Sequence, residues 1–154
     1  MTRRNVEMSA RGQLIDRAFA DAKKEMLSLP DEKYLELLVS MLVSILMSRV
    51  EDEKVSRELY GEEDAPSTDS YEVILNVRDR EKFGKNLIDG VRRRLVGKES
   101  IGITQKVVLS ASTADIDGGL ILRYGDIEIN SSVSMLFEQA RPSLEAKVSH
   151  VLFE

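Results

Sequence analysis

Apolar residues recur every three or four positions over residues 9–29, the spacing that places them on one face of a helix. They are Leu14, Ile15, Ala18, Phe19, Ala22, Met26 and Leu29. Pro30 interrupts this pattern, and the acidic residues after it suit the first turn of a second helix. The apolar positions of residues 35–46 cover more than half of the circumference of that helix, so it is predicted to be buried on several sides. The dense charge of residues 51–70 predicts a helical tail that leads into a solvated connection.

The period of the pattern changes after this connection. Residues 71–77 are apolar and β-branched at strand length, which predicts a strand. Asp79 then supplies the predicted N-cap of an amphipathic helix that Gly97 is expected to end. Residues 106–110 predict a second strand.

A β-hairpin is the clearest local signal in the chain. Two predicted strands, residues 120–124 and 127–130, flank Gly125 and Asp126. Glycine can take the positive φ that a tight turn between paired strands requires. The pattern therefore predicts that these two strands pair with each other in antiparallel fashion.

The last predicted helix covers residues 133–152, where apolar positions are again three and four apart. Asn130, Ser131 and Ser132 precede it and are its N-cap candidates. Pro142 lies inside the helix, where it removes a backbone donor and crowds the preceding turn. A kink or a restart near residues 139–141 is therefore expected.

These elements follow one another in the order α-α-β-α-β-β-β-α. They predict an α+β fold in which helices pack on a four-stranded, mostly antiparallel sheet and the N-terminal helix projects from it. The chain is expected to divide into an N-terminal pairing helix, residues 1–29, and a domain with its own core, residues 30–154.

Composition excludes several classes of site. The chain has 154 residues, no cysteine and one histidine, so thiolate chemistry, cysteine zinc sites and sites with two histidines of one chain are ruled out. The lone His150 is interpreted as a rim residue of the last helix. A net charge of −5 argues against a general nucleic-acid binder, because phosphate affinity depends mainly on Lys and Arg. The longest apolar stretch, residues 35–47, is shorter than the roughly 20 residues that a membrane-spanning helix needs.

The most basic cluster is Arg92, Arg93 and Arg94. On a helix these residues spread over about 200° of arc, and no aromatic side chain lies between them to stack on a base. A solvated helix face is therefore the favoured interpretation. The Gly-Lys pair that follows does not fit a P-loop, since six residues separate its two glycines and Glu99 follows the lysine.

Asp115 and Asp117 directly precede Gly118 and Gly119, and this segment leaves alternatives open. Turn chemistry is the favoured interpretation, because Asp beside Gly is typical of turns. A small-molecule-sensing regulatory domain would use Asp115 and the two glycines to bind a ligand at the strand ends. A hydrolase would use the two carboxylates. No cofactor and no metal are expected, because no set of further ligands surrounds the pair.

The C-terminal third combines a Gly-Gly strand, a short turn, a second strand, an Asn cap and a long helix that ends in Leu-Phe. The residues that form this combination are Gly118, Gly119, Gly125, Asp126, Asn130, Leu152 and Phe153. In this combination the chain resembles the E subunit of the V-type and archaeal-type rotary ATPases. The helix-proline-helix run of residues 29–46 is also similar to that family in length and apolar pattern.

Two departures from the family pattern stand out. Met135 occupies the position where family members usually have an Arg after the cap, so no contact of that Arg can be transferred. Family members also normally begin with a long N-terminal helix, whereas residues 1–29 alone precede Pro30 here. The chain is therefore expected to be either a C-terminal fragment or a form with a shortened stalk.

The resemblance implies a non-catalytic subunit of the ATPase complex, cytoplasmic and peripheral to the membrane. Its N-terminal helix would pair with a second helical stalk subunit, of type G or H, and its domain would bind the catalytic head, so that the stalk resists rotor torque. Residues 1–28 carry a net charge of +2 and the remaining chain −7, which sets this helix apart. The expected pairing seam is Leu14, Ile15, Ala18, Phe19, Ala22 and Met26. An isolated chain is expected to form a concentration-dependent homodimer through residues 9–29.

Overall fold

The computed structural model describes residues 3–61, 68–96 and 101–153, and of residues 3–8, 101, 148–149 and 151–153 it describes the backbone only. The helices are α1 (Arg3–Leu27), α2 (Asp31–Tyr60), α3 (Val77–Leu95), α4 (Ile101–Lys106) and α5 (Val133–Phe153). The strands are β1 (Tyr71–Ile74), β2 (Val107–Leu109), β3 (Gly119–Tyr124) and β4 (Ile127–Ser132). This arrangement confirms the predicted α+β class.

The four strands form one sheet in the order β2-β1-β3-β4. β1 and β2 are parallel, and α3 and α4 lie between them along the chain, as a parallel crossover requires. The β1–β3 and β3–β4 pairs are antiparallel, so the sheet is mostly antiparallel, as predicted. Tyr124 pairs with Ile127 across the hairpin turn, and Gly125 takes a φ of 56° there. The predicted hairpin is thereby confirmed.

The main core lies between α2, α3 and one face of the sheet. Side chains alternate between the two faces of a strand, and Leu120, Leu122 and Tyr124 of β3 all face this core. The helices contribute fully buried residues at helical spacing, namely Leu38, Leu42 and Leu46 of α2 and Leu87, Val91 and Leu95 of α3. On the opposite face, Arg123 lies between the carboxylates of Glu72 and Glu128, so that part of the sheet is polar and solvated.

Helix α3 starts earlier than predicted, because Asn76 and not Asp79 is its N-cap. The side-chain oxygen of Asn76 accepts a hydrogen bond from the backbone N–H of Asp79 at 2.7 Å. Strand β1 consequently ends at Ile74, and Val77 is already helical. Asp79 instead lies in the first turn with its side chain fully buried.

Two further features of the helices differ from what the sequence pattern predicts. α4 was not predicted, because Ile101–Lys106 includes Gly102, Ile103 and Thr104, which have weak helix propensity. Of the kink or restart predicted near residues 139–141, the restart is wrong, since α5 is helical without interruption from Val133 to Phe153, and the kink stays a prediction. Proline lacks only one backbone donor, and a helix can continue past that one missing hydrogen bond.

The start of α5 shows which of the N-cap candidates caps this helix. β4 continues beyond the predicted Asn130 to Ser132, and the hydroxyl of Ser132 accepts a hydrogen bond from the N–H of Met135 at 3.2 Å. Ser132 is therefore the capping residue. Asn130 supports it by accepting a hydrogen bond from the N–H of Ser132 at 2.9 Å. Among the described helices, none is both long and apolar enough to cross a bilayer.

Candidate partner-binding helix pair

Helices α1 and α5 pack against each other, and we call them the α1–α5 pair. Side-chain contacts between them include Lys23 with Ser134, Phe19 with Phe137 and Asp16 with Arg141. Residue numbers fall along α1 as they rise along α5, so the two helices are antiparallel. The N-terminal helix is therefore not isolated over this stretch, because the last helix of the same chain covers one of its faces.

A polar cluster joins the helix pair to the loop before β3. The Lys23 ammonium forms an ion pair with Asp117 and donates a hydrogen bond to the Ser134 hydroxyl at 2.7 Å. That hydroxyl in turn donates to Asp117 at 2.7 Å. Partial burial disfavours the charged carboxylate, but the hydrogen bonds from Lys23 and Ser134 outweigh it, so the pKa of Asp117 lies below its usual range. Three segments that are distant in sequence meet at this carboxylate.

Aromatic and charged contacts continue along the α1–α5 pair. The rings of Phe19 and Phe137 meet edge to face with centroids 5.4 Å apart. The Arg141 guanidinium lies 5.6 Å from the centroid of Phe19 and donates to Asp16 at 2.6 Å and to Glu145 at 3.0 Å. Hydrogen bonds to these two carboxylates, Asp16 first, raise the pKa of Arg141. These contacts fix the relative register of the two helices.

Replacing Asp117 by Asn is expected to lower the free energy of unfolding by about 0.5–1 kcal/mol at pH 7, the range for a partly exposed ion pair. Because the pKa of Asp117 is depressed in the folded state, its stabilisation is complete above the unfolded pKa and disappears as pH falls through the folded pKa. Urea unfolding of both proteins from pH 7 to pH 2 measures this difference. Asp115→Asn is the matched control, because Asp115 is exposed two residues away. A difference that persists at pH 2, or an equal effect of the control, would contradict the assignment.

The structure divides the predicted seam residues between two sides of α1. Ile15 is 1% exposed and Phe19 contacts α5, so both are used within the chain. Ala22 and Met26 are partly buried. Leu14 is 46% exposed and Ala18 is exposed too. Pairing with another chain through this seam stays a prediction, and its exposed part is Leu14 and Ala18.

A buried hydroxyl holds the Gly-Gly motif against the core. The Tyr34 hydroxyl donates to the Asp79 carboxylate at 2.7 Å and accepts from the N–H of Gly119 at 3.0 Å. Burial, followed by the hydrogen bond to Asp79, raises the pKa of Tyr34. We call Tyr34, Asp79 and Gly119 the Tyr34 network. It joins α2, α3 and β3 at one point.

The two glycines of the motif are needed for close packing. Gly119 has a φ of 82°, and a Cβ there would overlap the Ser131 carbonyl oxygen and lie 2.9 Å from the Cα of Ser132. A Cβ on Gly118 would lie 2.6 Å from a methyl carbon of Leu27. Neighbouring elements therefore occupy the space beside both glycines, as a packing role requires.

The other residues of the predicted motif have separate positions. Gly125 and Asp126 form the exposed hairpin turn, and Asn130 precedes the α5 cap. Leu152 and Phe153 lie in α5, but their side chains are outside the described residues. Met135 lines an open cavity of about 450 Å³ together with Asp115, Asp117 and Asn130.

Residues considered for other chemistry make contacts within the chain or face solvent. Arg92, Arg93 and Arg94 are exposed, and each donates to an oxygen of the chain, on Val107, Asp89 and Ser40 respectively. His150 is exposed on α5. Among the described residues, no group of three or more His, Cys, Asp or Glu side chains is arranged to hold a metal ion.

Sequence reasoning did not find Tyr34, Asp79, Lys23 or Arg141. Only Asp79 had a sequence signal, and that signal was misinterpreted as an N-cap. Lys23 and Arg141 contact residues more than a hundred positions away, so no local pattern reveals their role.

Comparisons with known proteins agree with the resemblance. The E subunit of the V-type ATP synthase of Acetivibrio thermocellus is 32% identical over 126 residues, which are 82% of this chain and 52% of that protein. The E subunit of the V-type proton ATPase of Thermoanaerobacter pseudethanolicus is 28% identical over 96% of this chain and 62% of its own length. A protein of the same name from Clostridium botulinum is 26% identical over 97% of this chain and 64% of its own length. No family model matches the chain.

The fold and its helix pair define an α+β domain whose first and last helices pack together. The relatives above identify the family of this domain: the chain belongs to the family of V-type ATP synthase E subunits. It spans between half and two thirds of the length of these curated relatives.

Proposed function

We propose that this chain acts as a non-catalytic part of the peripheral stalk of a V-type or archaeal-type rotary ATPase, linking the catalytic head to the membrane sector and resisting rotor torque. Its place would be cytoplasmic and peripheral to the membrane. The family relationship supports this proposal. The observation that carries it is the exposed side of the α1–α5 pair, because a stalk needs a helix surface on which a second helix can pack.

The exposed side of α1 suits helix pairing. Leu14 offers an apolar side chain that is 46% exposed, and Ala18 lies one turn further along the same side. A small residue next to a large one lets a partner helix approach closely and insert a side chain. The proposed partner at this surface is the second helical stalk subunit, of type G or H, and the sheet domain would bind subunits of the catalytic head.

The test is co-expression of the chain with the second stalk subunit, followed by size-exclusion chromatography with multi-angle light scattering. A stable one-to-one complex is expected. If the two proteins elute separately at micromolar concentration, the pairing proposal fails. The chain alone is expected to form a concentration-dependent homodimer through residues 9–29, and a constant monomer mass over a wide dilution range would contradict that expectation.

Leu14→Glu and Ala18→Glu are expected to weaken the complex at least about tenfold each, because a buried unpaired carboxylate costs more than about 1.4 kcal/mol. Folding is expected to be retained, since both side chains are exposed in the isolated chain. Ala20→Glu is the matched control, because Ala20 is also exposed but lies about 160° around the helix from Ala18. Isothermal titration calorimetry measures the affinities. Equal weakening by the control would show that helix charge, and not this seam, governs the complex.

A further inference from the structure

A cavity of about 330 Å³ lies between α2 and α4, away from the α1–α5 pair. We call it the α2–α4 cavity. Its polar lining is Lys54, Arg57 and Glu53 from α2 and Lys106 from the end of α4. Val50 and Ile103 supply apolar lining. Three cationic side chains from two helices therefore surround one concave space.

These three cations make no ion pair with any described residue. Cations elsewhere on the chain do, such as Lys82 with Asp31 at 2.9 Å and Arg141 with Asp16 at 2.6 Å. The one carboxylate in the lining, Glu53, already accepts a hydrogen bond from the Tyr71 hydroxyl at 2.5 Å. The cavity lining therefore carries three positive charges against the one negative charge of Glu53, a local excess of positive charge in a chain of net charge −5.

We propose that the α2–α4 cavity binds a small phosphate-bearing anion. Lys and Arg form strong charge-assisted hydrogen bonds with phosphate oxygens, and three such groups around one space match a doubly charged ligand. The volume lies at the lower end of the range of about 300–1,000 Å³ for small-molecule sites. Gly102 in the lining leaves open space, because a Cβ there would meet no atom within 4 Å. The site is independent of the proposed stalk function.

The arginine cluster of α3 differs from this cavity. Arg92, Arg93 and Arg94 each donate to an acceptor within the chain and spread around their helix. Lys54, Arg57 and Lys106 instead line a common space. Positive charge is therefore available to a ligand in the α2–α4 cavity.

The test is a titration of the full chain with sodium phosphate, followed by ¹⁵N–¹H correlation spectra, with sodium chloride of equal ionic strength as reference. Saturable shifts are expected for the amides of Gly102 and Ile103. The double variant Lys54→Gln/Lys106→Gln is expected to weaken binding at least about tenfold, because each lost charge-assisted hydrogen bond has a large effect. Arg57→Gln tests the same site should the double variant fail to fold.

The matched control is Lys33→Gln/Lys85→Gln, which removes the same charge at exposed positions outside the cavity. An unchanged affinity in this control supports the site. Equal weakening by both double variants, or shifts that chloride reproduces, would overturn it. A further arm with glucose 6-phosphate identifies the source of the phosphate: tighter binding than inorganic phosphate indicates an organic phosphate ester, and equal binding indicates the free ion. Binding of hexaglutamate without phosphate binding would overturn the proposal in favour of an acidic peptide.

Discussion

Gly119→Ala is expected to lower the free energy of unfolding by about 4 kcal/mol, through backbone strain and steric overlap together. The φ of 82° is unfavourable for any residue with a Cβ. The added carbon would also overlap the Ser131 carbonyl oxygen, which belongs to the paired strand and cannot rotate away as a side chain would. Relief requires separation of β3 from β4 at the point where α5 begins. Urea unfolding at pH 7 measures the loss.

Gly125→Ala is the control that separates strain from overlap. Gly125 also has a positive φ, of 56°, but a Cβ there would meet no atom within 4 Å. Gly125→Ala is therefore expected to lower the free energy of unfolding by about 1 kcal/mol, the cost of the left-handed conformation alone. If both substitutions lower the free energy of unfolding equally, the overlap with β4 does not contribute to the effect. The packing role assigned to Gly119 would then be wrong.

The parts of the fold that depend on local chemistry could be predicted from the sequence. The hairpin follows from Gly125 and Asp126 between two apolar runs, and the structure pairs Tyr124 with Ile127 around them. The start of α3 differs from the prediction, because Asn76 is also a residue type that caps helices and it precedes Asp79 by three positions. The sequence pattern predicts Asp79 as the cap, but the helix begins after Asn76, whose amide oxygen accepts a hydrogen bond from the N–H three residues later. The missed α4 shows that tertiary context can override weak propensity over six residues.

The site could be predicted only in part. The apolar stripe of α1 was visible, because helical spacing is a local property. The partner of that stripe was not, since Ser134 lies 111 positions after Lys23 and Arg141 lies 125 after Asp16. Contacts of this range depend on the whole topology of the sheet, which orients α5 so that it returns along α1.

Residues 117–119 connect the helix pair to the core. Asp117 contacts Lys23 of α1 and Ser134 of α5, and two residues later Gly119 donates its N–H to Tyr34 of α2. If α1 bears load in a stalk, as proposed, this short segment is a direct route by which force on α1 reaches the sheet domain. Under that proposal the Gly-Gly motif would transmit force in addition to its packing role.

Tyr34→Phe is expected to lower the free energy of unfolding by about 3 kcal/mol, because it removes a hydrogen-bond partner from each of two buried groups. The Asp79 carboxylate would keep only the Arg78 guanidinium, at 3.3 Å, as a side-chain donor among the described residues. The fully buried Asp79 carboxylate would lose its hydroxyl donor, and the N–H of Gly119 would lose its acceptor. Tyr60→Phe is the matched control, since Tyr60 is 64% exposed, and its effect is expected to be within about 0.5 kcal/mol. Equal effects would refute the Tyr34 network.

The same pair of proteins gives a pH test. The pKa of Tyr34 is raised in the folded state, so the folded chain keeps this hydroxyl protonated at pH values where an unfolded tyrosine, with a pKa of about 10, ionises. The stabilisation from Tyr34 is therefore complete below pH 10 and is lost as pH rises above it. The difference in stability between wild type and Tyr34→Phe should stay constant from pH 6 to pH 9 and shrink above about pH 10. A difference that grows with alkaline pH would mean that the hydroxyl ionises more easily in the folded chain, and the hydrogen bond to Asp79 would then be excluded.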